Sequence, residues 1–349
     1  MPAGLNETFI CLIPKVNCPQ KITEFRPISL CNVVYKLVSK VLANRLKKFL
    51  PLVISESQSA FVPGRQIMDN VLVAFETMHS IDQRRKGKNG LMAIKLDMSK
   101  AYDRVEWDFL EVMIRKLGFR ERWIGLMLMC VKTVSYSVLI NGEPKGKITP
   151  TRGLRQDDPI SPYLFLLCAE GLTAMLNREE GEGQISGVLI CRGAPRISHL
   201  LFADDCIIFG KASVDEGYRV LKVLADYEEE SGQKLNKEKT SLFFSRNTSR
   251  EIQEKIKEIF RAQIIHKHER YLRLPTLVGK GKIKAFSRIK DQVGRKIAGW
   301  KGKLLSNASR EILIKAVAQA TTTYTMSCFK LPNALCHDLN SMVSQFWWG

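Results

Sequence analysis

The sequence lacks the segments that would place a protein in a membrane or direct it out of the cell. It has no uncharged apolar run of about eighteen residues, the length that a membrane-spanning helix needs. Its first residues, MPAGLNETF, contain neither a signal-peptide core nor an arginine-rich amphipathic start. We therefore expect a protein that is neither secreted nor membrane-bound, with the nucleus and the cytoplasm both open as locations.

The nine cysteines lack the spacing of a metal site or a disulfide framework. There is no CxxC pair, and none of them stands in zinc-finger spacing with a histidine. Most lie among apolar neighbours, as Cys168 does in YLFLLCAEG, which is typical of small buried hydrophobic residues. A reducing compartment is therefore favoured over an oxidising one. Internal repeats and low-complexity tracts are also absent.

Acidic residues are few relative to basic ones. There are 54 Lys and Arg against 35 Asp and Glu, a net charge of +19, which points to a polyanion such as nucleic acid or an acidic membrane surface. From Arg273 to Arg310 there are eleven basic residues and one acid, a net +10. A solvated lysine-rich face would not require such clustering, whereas a phosphate backbone suits it. We expect Arg273, Lys301 and Lys303 in this stretch to bind nucleic acid.

The spacing of apolar residues and turn signals predicts an α+β fold. In chain order the expected elements are a strand at 7–14, a helix at 28–50 closed by Pro51, a helix at 67–83, a β-run at 91–98 followed by helix through 116, a hairpin of 134–140 and 146–150, a buried helix at 158–176, a hairpin of 185–190 and 200–210 with two aspartates near its tip, a helix at 214–231 and a strand at 241–245. Beyond about residue 285 the pattern is helical and basic. The expected architecture is a central antiparallel sheet with helices on one face, then a smaller helical domain.

Three aspartates stand where the interior of a strand would not tolerate them. Asp97 follows AIKL, and Asp204 and Asp205 lie between LLFA and CIIF. A carboxylate beside apolar strands must be solvated, paired or metal-bound, because burying it bare costs several kcal/mol. For one aspartate solvation is the simpler explanation, but two adjacent like charges favour a divalent cation. With a third carboxylate on a neighbouring strand, such a site holds two Mg²⁺ ions.

Seven sequence blocks surround these aspartates in order. They are FRPISLCNVVYKLVSKVLANRLK (25–47), ESQSAFVPGRQIMDN (56–70), LDMSKAYDRVEW (96–107), GLRQDDPISPYLF (153–165), FADD (202–205), GQKLNKEKT (232–240) and YLRLPT (271–276). In that order they resemble two fingers blocks, motifs A, B, C and D, and the block near the primer grip of reverse transcriptases. The resemblance is to the non-LTR, LINE-type branch in its plant form, and it runs from about residue 7 to residue 349.

The resemblance implies a right-hand polymerase fold and an RNA-directed DNA polymerase. Fingers would occupy 1–90, the palm 91–280 with part of the fingers between motifs A and B, and a partial thumb 281–349. The implied reaction adds dNTPs to the 3′-hydroxyl of a DNA primer on an RNA template. Its implied cofactor is a pair of Mg²⁺ ions, with Mn²⁺ as an alternative, and no obligate protein partner or membrane is implied.

The resemblance also implies individual roles. Asp97, Asp204 and Asp205 would be the catalytic metal ligands, with Asp205 the least direct of the three. Lys239 matches the motif D lysine that protonates the leaving pyrophosphate, and a surface lysine is the equally weighted alternative. Substrate-binding candidates are implied as well.

Tyr102 matches the aromatic residue that closes over the sugar and excludes a 2′-hydroxyl; the alternative is an ordinary core aromatic. Gln156 matches the motif B residue that packs near the incoming nucleotide and the template base. Arg26 and Lys36 are candidates for triphosphate contacts from the fingers, although a solvated helix face would explain Lys36 as well.

Two positions depart from the family pattern. Asp157 stands where motif B carries Gly, and Arg273 stands where the later block carries Gly. Both glycines would allow tight turns or a close approach of the backbone to nucleic acid. We therefore expect a degenerate copy from an element whose endonuclease and downstream Cys/His or RNase H regions are not in this sequence.

Two other interpretations compete. An RNA-dependent RNA polymerase shares the palm, but Tyr102 and FADD favour an enzyme that uses deoxynucleotides. A catalytically inactive remnant of a retroelement would only bind RNA or an RNA–DNA hybrid through its basic segment, and the sequence separates this alternative poorly from an active enzyme.

Overall fold

The computed structural model describes residues 1–2, 4–265, 270–276, 282–300 and 304–349. The chain forms two compact units: a large unit of residues 1–66 and 84–264, and a small unit of residues 67–83 and 265–349. Fingers, palm and thumb are a division by role, and that division stays a prediction. Lys301 and Lys303, predicted to bind nucleic acid, lie outside the described residues.

The strands contribute to two larger sheets and two short ribbons. In chain order they are β1 (Glu7–Pro14), β2 (Phe25–Cys31), β3 (Leu91–Leu96), β4 (Ser135–Ile140), β5 (Glu143–Ile148), β6 (Val188–Leu189), β7 (Arg196–Ile197), β8 (His199–Phe202), β9 (Asp205–Lys211), β10 (Ser241–Phe244), β11 (Gln263–Ile264), β12 (Arg270–Tyr271) and β13 (Leu274–Pro275).

The helices are α1 (Val33–Leu46), α2 (Leu50–Val53), α3 (Ile67–Gln83), α4 (Trp107–Lys116), α5 (Glu121–Lys132), α6 (Ser161–Gly181), α7 (Val214–Ser231), α8 (Arg250–Phe260), α9 (Lys282–Trp300), α10 (Asn307–Leu313), α11 (Ala320–Cys328) and α12 (Asn333–Trp348). Short 3-10 turns occur at Ile22–Glu24 and Tyr102–Arg104, and a π-helical segment at Ile314–Gln319 joins α10 to α11. Within the described part of the chain, no helix is both long and apolar enough to cross a membrane.

The central sheet of the large unit has the strand order β11-β10-β3-β9-β8. Its pairs are antiparallel except for the edge pair β10–β11, which is parallel. The middle strand β3 (LMAIKL) is buried apart from half-buried Lys95, as expected for a strand covered on both faces. Met92, Ile94 and Leu96 pack into the main core of this unit. The expected antiparallel sheet is therefore present.

Helix α6 forms the apolar centre of the large unit. Its sequence SPYLFLLCAEGLTAML is almost continuously buried, and Pro162 occupies its first turn, where a missing N–H is tolerated. The helix was predicted at 158–176 and begins at Ser161 instead. It packs in the same core cluster as the apolar faces of α4 and α7.

A second sheet of the large unit has the order β2-β1-β4-β5. The predicted hairpin around NGEP is present as β4 and β5, but β5 begins at Glu143 rather than at 146. Asn141 and Gly142 form the two-residue turn with φ of 52° and 84°, the left-handed conformations that a type I′ hairpin needs. Only Asn and Gly of the NGEP sequence therefore form the turn, and Glu and Pro already belong to β5.

The predicted helix at 28–50 is wrong at both ends. Residues 28–31 belong to β2, which pairs with β1 along its full length, and α1 starts only at Val33. Asn32 is the N-cap, because its side chain accepts a hydrogen bond from the backbone N–H of Val34 at 2.9 Å. Pro51 lies in the first turn of α2 rather than closing the longer helix. Long-range strand pairing here outweighs the local helical period.

The small unit is helical with one short ribbon, β12–β13. Phe286, Ile289, Val293 and Ile297 recur on α9 at helical spacing and are buried in its core, with residues from α12 and the π-helical segment. Helix α3 joins this unit, and Phe75 contacts Phe329 edge-to-face with ring centroids 5.1 Å apart. The helical character predicted beyond residue 285 is confirmed.

Candidate active site

Asp204 and Asp205 lie in a tight hairpin of the central sheet. Strand β8 ends at Phe202, Ala203 and Asp204 form the turn, and Asp205 begins β9 opposite Phe202. The predicted pairing of 185–190 with 200–210 is wrong, because β6 pairs with β7 and both strands of this hairpin come from 199–211. A turn solvates two carboxylates that the interior of one long strand would bury.

Strands β3 and β9 bring Asp97 to the same end of the sheet. Their last pair is Leu96 with Cys206, so in the antiparallel register the residue after Leu96 faces Asp205. The Asp97 side chain is 36% exposed. The three aspartates singled out from the sequence therefore meet at one edge of the central sheet.

Electrostatic repulsion acts among these carboxylates. Burial, and then the charge of Asp97, raises the pKa of Asp204 above its ordinary value. Burial, and then the charge of Asp204, raises the pKa of Asp205, whereas Lys95 opposes that rise. Asp204 is exposed at the tip of the turn, so its desolvation comes from protein close around a carboxylate that water still reaches. A cation at this edge would relieve the repulsion.

Motif D runs beside the end of β3 and carries Lys239 to Asp97. The Lys239 Nζ lies 3.4 Å from the Asp97 Oδ2, and 68% of the lysine side chain is exposed. The backbone N–H of Asn236 donates to the carbonyl of Asp97 at 2.8 Å. Buried Gln233, which the sequence did not single out, donates from Nε2 to the carbonyl of Ala101 at 2.7 Å. These bonds hold motif D against motif A.

Tyr102 lies beside the aspartate edge. Its ring stacks on Phe165 of α6, with centroids 4.9 Å apart and planes 11° apart. Burial, and then the nearby Asp204 carboxylate, raises the pKa of its phenol. Packing against Phe165 thus holds the ring in place, and the Asp204 carboxylate lies close enough to raise the pKa of the Tyr102 hydroxyl.

Motif B is anchored by a buried ion pair that the sequence did not reveal. The Arg155 Nη2 lies 2.9 Å from the Asp158 Oδ2, and both side chains are almost fully buried. Tyr35 donates its hydroxyl to Asp158 at 2.6 Å, and Ser39 donates to the other carboxylate oxygen. Arg155 also donates to Thr8 at 3.0 Å. Asp158 therefore ties motif B to α1, and Arg155 ties it to β1.

Gln156 is half-buried and lines a pocket of 160 Å³ in the large unit, together with Ile10, Pro27, Ser29 and Asp103. Arg26 lies exposed on β2, directly before Pro27 of that pocket. Lys36 lies half-buried in the first turns of α1. Gln156 therefore shares this pocket with residues of β2, the strand that carries Arg26. The side chains of Arg26 and Lys36 themselves do not line the pocket.

Both departures from the glycine pattern adopt left-handed backbone conformations. Asp157 has φ of 67° and Arg273 has φ of 69°, and both side chains are exposed. Leu272, next to Arg273, is also left-handed, with φ of 49°. The expectation that glycine suits a tight turn at these two positions is therefore supported by their dihedral angles.

The small unit contains a pocket of 800 Å³ with a strongly basic lining. Arg270, Arg273, Arg288, Arg295 and Lys296 contribute five cationic side chains, and none of the described residues that line the pocket is acidic. Burial, and then the charge of Arg288, lowers the pKa of Arg270. Mutual repulsion of this kind is relieved by an anion.

The aspartate edge fits a hard divalent cation by its donor chemistry. Mg²⁺ takes oxygen ligands, and it is commonly held by one or two carboxylates with water and substrate phosphates completing the shell. Among the described residues, no group of three or more His, Cys, Asp or Glu side chains forms a ready-made metal cage. The carboxylates of this edge therefore match the type of ligand that Mg²⁺ prefers.

The antiparallel sheet of the large unit, packed against helices, is consistent with a right-hand polymerase fold. The sequence profile of reverse transcriptase (RNA-dependent DNA polymerase) matches residues 13–272. Because that match covers most of the chain, the protein belongs to the reverse transcriptase family. Members of this family generally depend on divalent metals.

The relatives specify the branch of that family. The chain is 26% identical over its whole length to the transposon TX1 149 kDa protein of Xenopus laevis, of which it spans 26%. It is 27% identical to the Pol polyprotein of the R2DM retrotransposable element of Drosophila melanogaster, with 68% of the chain and 21% of the polyprotein covered. The chain is thus a reverse transcriptase domain that is similar to those of non-LTR retrotransposon proteins, and it spans about a quarter of the length of these relatives.

Two further similarities concern origin and fold. Over 67 residues, 19% of the chain, it is 54% identical to an uncharacterised mitochondrial protein of Arabidopsis thaliana, of which 55% is covered. The predicted plant origin stays a prediction.

A solved telomerase from Candida tropicalis, in complex with a fragment of telomeric RNA, superposes with a TM-score of 0.50 at 13% identity. The matched region spans 99% of this chain and 58% of the telomerase chain. The two proteins therefore share the polymerase fold.

Proposed function

We propose that this chain catalyses RNA-templated addition of dNTPs to a DNA primer, with Asp97 and Asp204 as the principal metal ligands and Asp205 as a supporting one. The observation that carries the proposal is the register of β3 and β9, in which Asp97 faces the hairpin of Asp204 and Asp205. When bound there, two Mg²⁺ ions, or Mn²⁺ in their place, would activate the primer hydroxyl and neutralise triphosphate charge. The chain's own residues supply the rest of the site.

Lys239 is our candidate for the proton donor to pyrophosphate. Its ammonium lies within ion-pair distance of Asp97 yet remains mostly exposed, so it can reach a leaving group at the same edge. A general acid placed in this way contributes roughly 10²- to 10⁴-fold in rate. Asp97 would hold the cation through the carboxylate that Lys239 pairs with here, which would leave the lysine ammonium free to face the substrate.

Tyr102 and Gln156 are our candidates for nucleotide selection. Tyr102 is clamped flat against Phe165, so it would present a fixed edge to the sugar and exclude a 2′-hydroxyl. Gln156 lines the small pocket that also contains Ile10 and Ser29. Arg26 and Lys36 would contact the triphosphate, and their exposed or half-exposed placement leaves both side chains available.

The basic pocket of the small unit is our candidate contact for nucleic-acid phosphates. It contains Arg273, one of the three residues predicted for that role, and adds Arg288 and Arg295, which the sequence did not single out. Neutralising phosphates in this way releases counterions from the nucleic acid. The partners proposed here are therefore an RNA template and a DNA primer strand.

A primer-extension assay on poly(rA)/oligo(dT) with Mg²⁺ tests the proposal. The parent should incorporate dTTP, and Asp204→Asn or Asp97→Asn should lower incorporation by several orders of magnitude. Hybrid affinity should hold or rise in both variants, because each removes a charge that repels phosphate. Asp226→Asn on α7 is the matched control outside this edge, and it should extend primers as the parent does. Undiminished extension by Asp204→Asn would refute the metal assignment.

The second candidate function is an inactive protein that binds an RNA–DNA hybrid. The observation that favours it is the pair of non-glycine residues, Asp157 and Arg273, in left-handed conformations where the family carries glycine. Hybrid binding without any dTTP incorporation, with either Mg²⁺ or Mn²⁺, would establish this alternative.

A further inference from the structure

The turn that carries Asp204 has an unusual backbone. Ala203, its first residue, has φ of 55°, a left-handed conformation that a residue with a Cβ seldom adopts. Two-residue turns that begin with a positive φ normally place glycine, asparagine or aspartate there, and not alanine. Because Asp204 is the next residue, the orientation of its carboxylate depends on how this peptide is held.

The side-chain amide of Gln58 holds both backbone polar groups of Ala203. Its Oε1 accepts the Ala203 N–H at 3.0 Å, and its Nε2 donates to the Ala203 carbonyl at 3.4 Å. The same Oε1 accepts the N–H of Ala60 at 3.0 Å. Gln58 is 1% exposed, so water cannot replace these bonds.

The segment that carries Gln58 is itself fixed to the central sheet. The backbone N–H of Leu201 donates to Ser57 at 2.8 Å, and the N–H of Ser59 donates to Leu201 at 3.1 Å. These bonds form a parallel bridge between residue 58 and β8, the strand that leads into the turn. The amide is thereby held in register with the hairpin.

A half-buried arginine and a buried glutamate hold the other side of this segment. Arg65 donates to the carbonyls of Ile54, Ser55 and Gln58 at 2.6–2.7 Å. Glu170 of α6 accepts the backbone N–H of Ser55 at 3.1 Å. The amide therefore projects from a braced loop, and its rotation is restricted from both ends.

We propose that Gln58 is a positioning residue for metal binding, whose amide fixes the Ala203 peptide and thereby aims the Asp204 carboxylate at the cation. This inference rests on the proposed function, because it requires the hairpin to bind metal. Some residues do not contact the metal but orient its ligands through hydrogen bonds. Removing such a residue typically lowers metal affinity by about 10- to 100-fold. Gln58 need not touch the metal or the substrate to have this effect.

The test compares Gln58→Met with the parent. Methionine is close to glutamine in length and shape but makes neither hydrogen bond to Ala203. The control is Gln253→Met, which removes a 2.9 Å bond from the Gln253 amide to the carbonyl of Thr248, on a helix of the large unit away from the hairpin. Mn²⁺ binding is followed by electron paramagnetic resonance in all three proteins, and Asp204→Asn defines the part of the signal that belongs to the hairpin.

The Asp204-dependent Mn²⁺ affinity should fall by about 10- to 100-fold in Gln58→Met at unchanged stoichiometry, and Gln253→Met should bind as the parent does. The Mg²⁺ concentration for half-maximal primer extension should rise by the same factor, with hybrid affinity unaltered. If Gln58→Met does not fold, Gln58→Asn is the substitute, because its side chain keeps the amide but is one methylene shorter. It should raise the Mg²⁺ concentration for half-maximal extension by a smaller factor.

Unchanged Mn²⁺ affinity in a folded Gln58 variant overturns the proposal, and so does a loss of stoichiometry at constant affinity, which is what a merely structural role produces. Failure of the proposed function has a different signature. A parent that extends no primer but binds Mn²⁺ through Asp204 refutes polymerisation, while the affinity of the variants still decides the role of Gln58. A parent without Asp204-dependent Mn²⁺ binding overturns both.

Discussion

Two exposed residues, Asp157 and Arg273, have left-handed backbone conformations, which glycine adopts more readily than other residues. A residue with a Cβ held in this conformation costs roughly 1 kcal/mol relative to glycine, and aspartate tolerates it better than most. Asp157 also adds a negative charge beside Gln156, the residue proposed to lie near the incoming nucleotide. Because its side chain is exposed, solvent screens that charge considerably.

At this scale we predict that Asp157→Gly extends primers about five-fold faster than the parent, which corresponds to about 1 kcal/mol in the transition state. The gain comes from removing a charge that repels the triphosphate and a Cβ that limits how closely the backbone can approach the nucleotide. The measurement is the rate of dTTP incorporation at equal primer–template occupancy.

Asp157→Asn separates the two causes. Asparagine removes the charge but keeps the Cβ, so it should recover only the electrostatic part of the gain. Equal rates in the parent and both variants would show that Asp157 does not affect incorporation, and inactivity of all three would favour the hybrid-binding alternative.

At the scale of elements, the stability of motif B depends on a charge pair that joins α6 to α1 and β1. Arg155 and Asp158 are paired at 2.9 Å with almost no solvent exposure, and Arg155 also stacks over the Tyr35 ring at 3.9 Å. Such a pair contributes little against an apolar replacement of both partners, but breaking it leaves one buried charge uncompensated.

We predict that Arg155→Met lowers the free energy of unfolding by about 3–5 kcal/mol, because Asp158 then remains buried without its cation. Chemical denaturation at constant m-value measures the change. Arg178→Met is the matched control: Arg178 pairs with Glu182 at 2.9 Å on the exposed end of α6, so its loss should leave stability nearly unchanged. A similar small effect at both positions would contradict the structural role of Arg155.

Strand β8 begins with a buried histidine, His199. Only 4% of it is exposed; its Nδ1 lies 3.0 Å from the Ser198 hydroxyl, and its Nε2 has no hydrogen-bond partner among the described residues. Burial lowers the pKa of this imidazole from 6.5 to about 4. The folded state therefore binds a proton less readily than the unfolded chain does.

The sign of the pH dependence follows from that difference. The contribution of neutral His199 is fully present above pH 6.5 and is lost as the pH falls from 6.5 to about 4. At about 1.4 kcal/mol per pKa unit, the loss over this window is on the order of 3 kcal/mol. We predict that His199→Gln flattens the fall in unfolding free energy between pH 6.5 and 4.5 relative to the parent. Parallel pH profiles of the two proteins would show that His199 does not titrate in this way.

At the scale of the whole molecule, charge is distributed unequally. The net charge is +19, and in the small unit five cations surround one pocket whose lining, in the part of the chain that the structure describes, includes no acid. By contrast, the two lysines of α8 are paired locally, since Lys255 bonds Glu251 and Lys257 bonds Glu254, both at 2.7 Å. The pocket is therefore the stronger candidate for phosphate binding.

We predict that the double change of Arg288 and Arg295 to Gln flattens the salt dependence of hybrid binding. The slope of log affinity against log salt should decrease by roughly 1.4–1.8, because each phosphate that is no longer neutralised accounts for about 0.7–0.9 of it. The control changes Lys255 and Lys257 to Gln, removes the same charge and should leave the slope unaltered. Equal slopes in all three proteins would place the nucleic acid elsewhere.

The sequence alone determined the order of the motifs and the elements with strong local signals. Helices α3 and α7 lie at their predicted bounds, because amphipathic spacing is a property of the segment itself. Asp97 and the Asp204–Asp205 pair could be singled out because a carboxylate beside an apolar run conflicts with burial wherever the strand packs.

Tertiary structure decided whatever depends on a partner far along the chain. Residues 28–31 became a strand because β1 pairs with them, and the carboxylates lie in a turn because β8 pairs with β9 rather than with β6. Arg155 and Asp158 are three residues apart, but their burial comes from Tyr35 and Thr8, more than one hundred residues away in sequence. The amide of Gln58 reaches Ala203 across 145 positions. No local pattern encodes such contacts, because hydrogen bonds and register are completed only when distant strands meet.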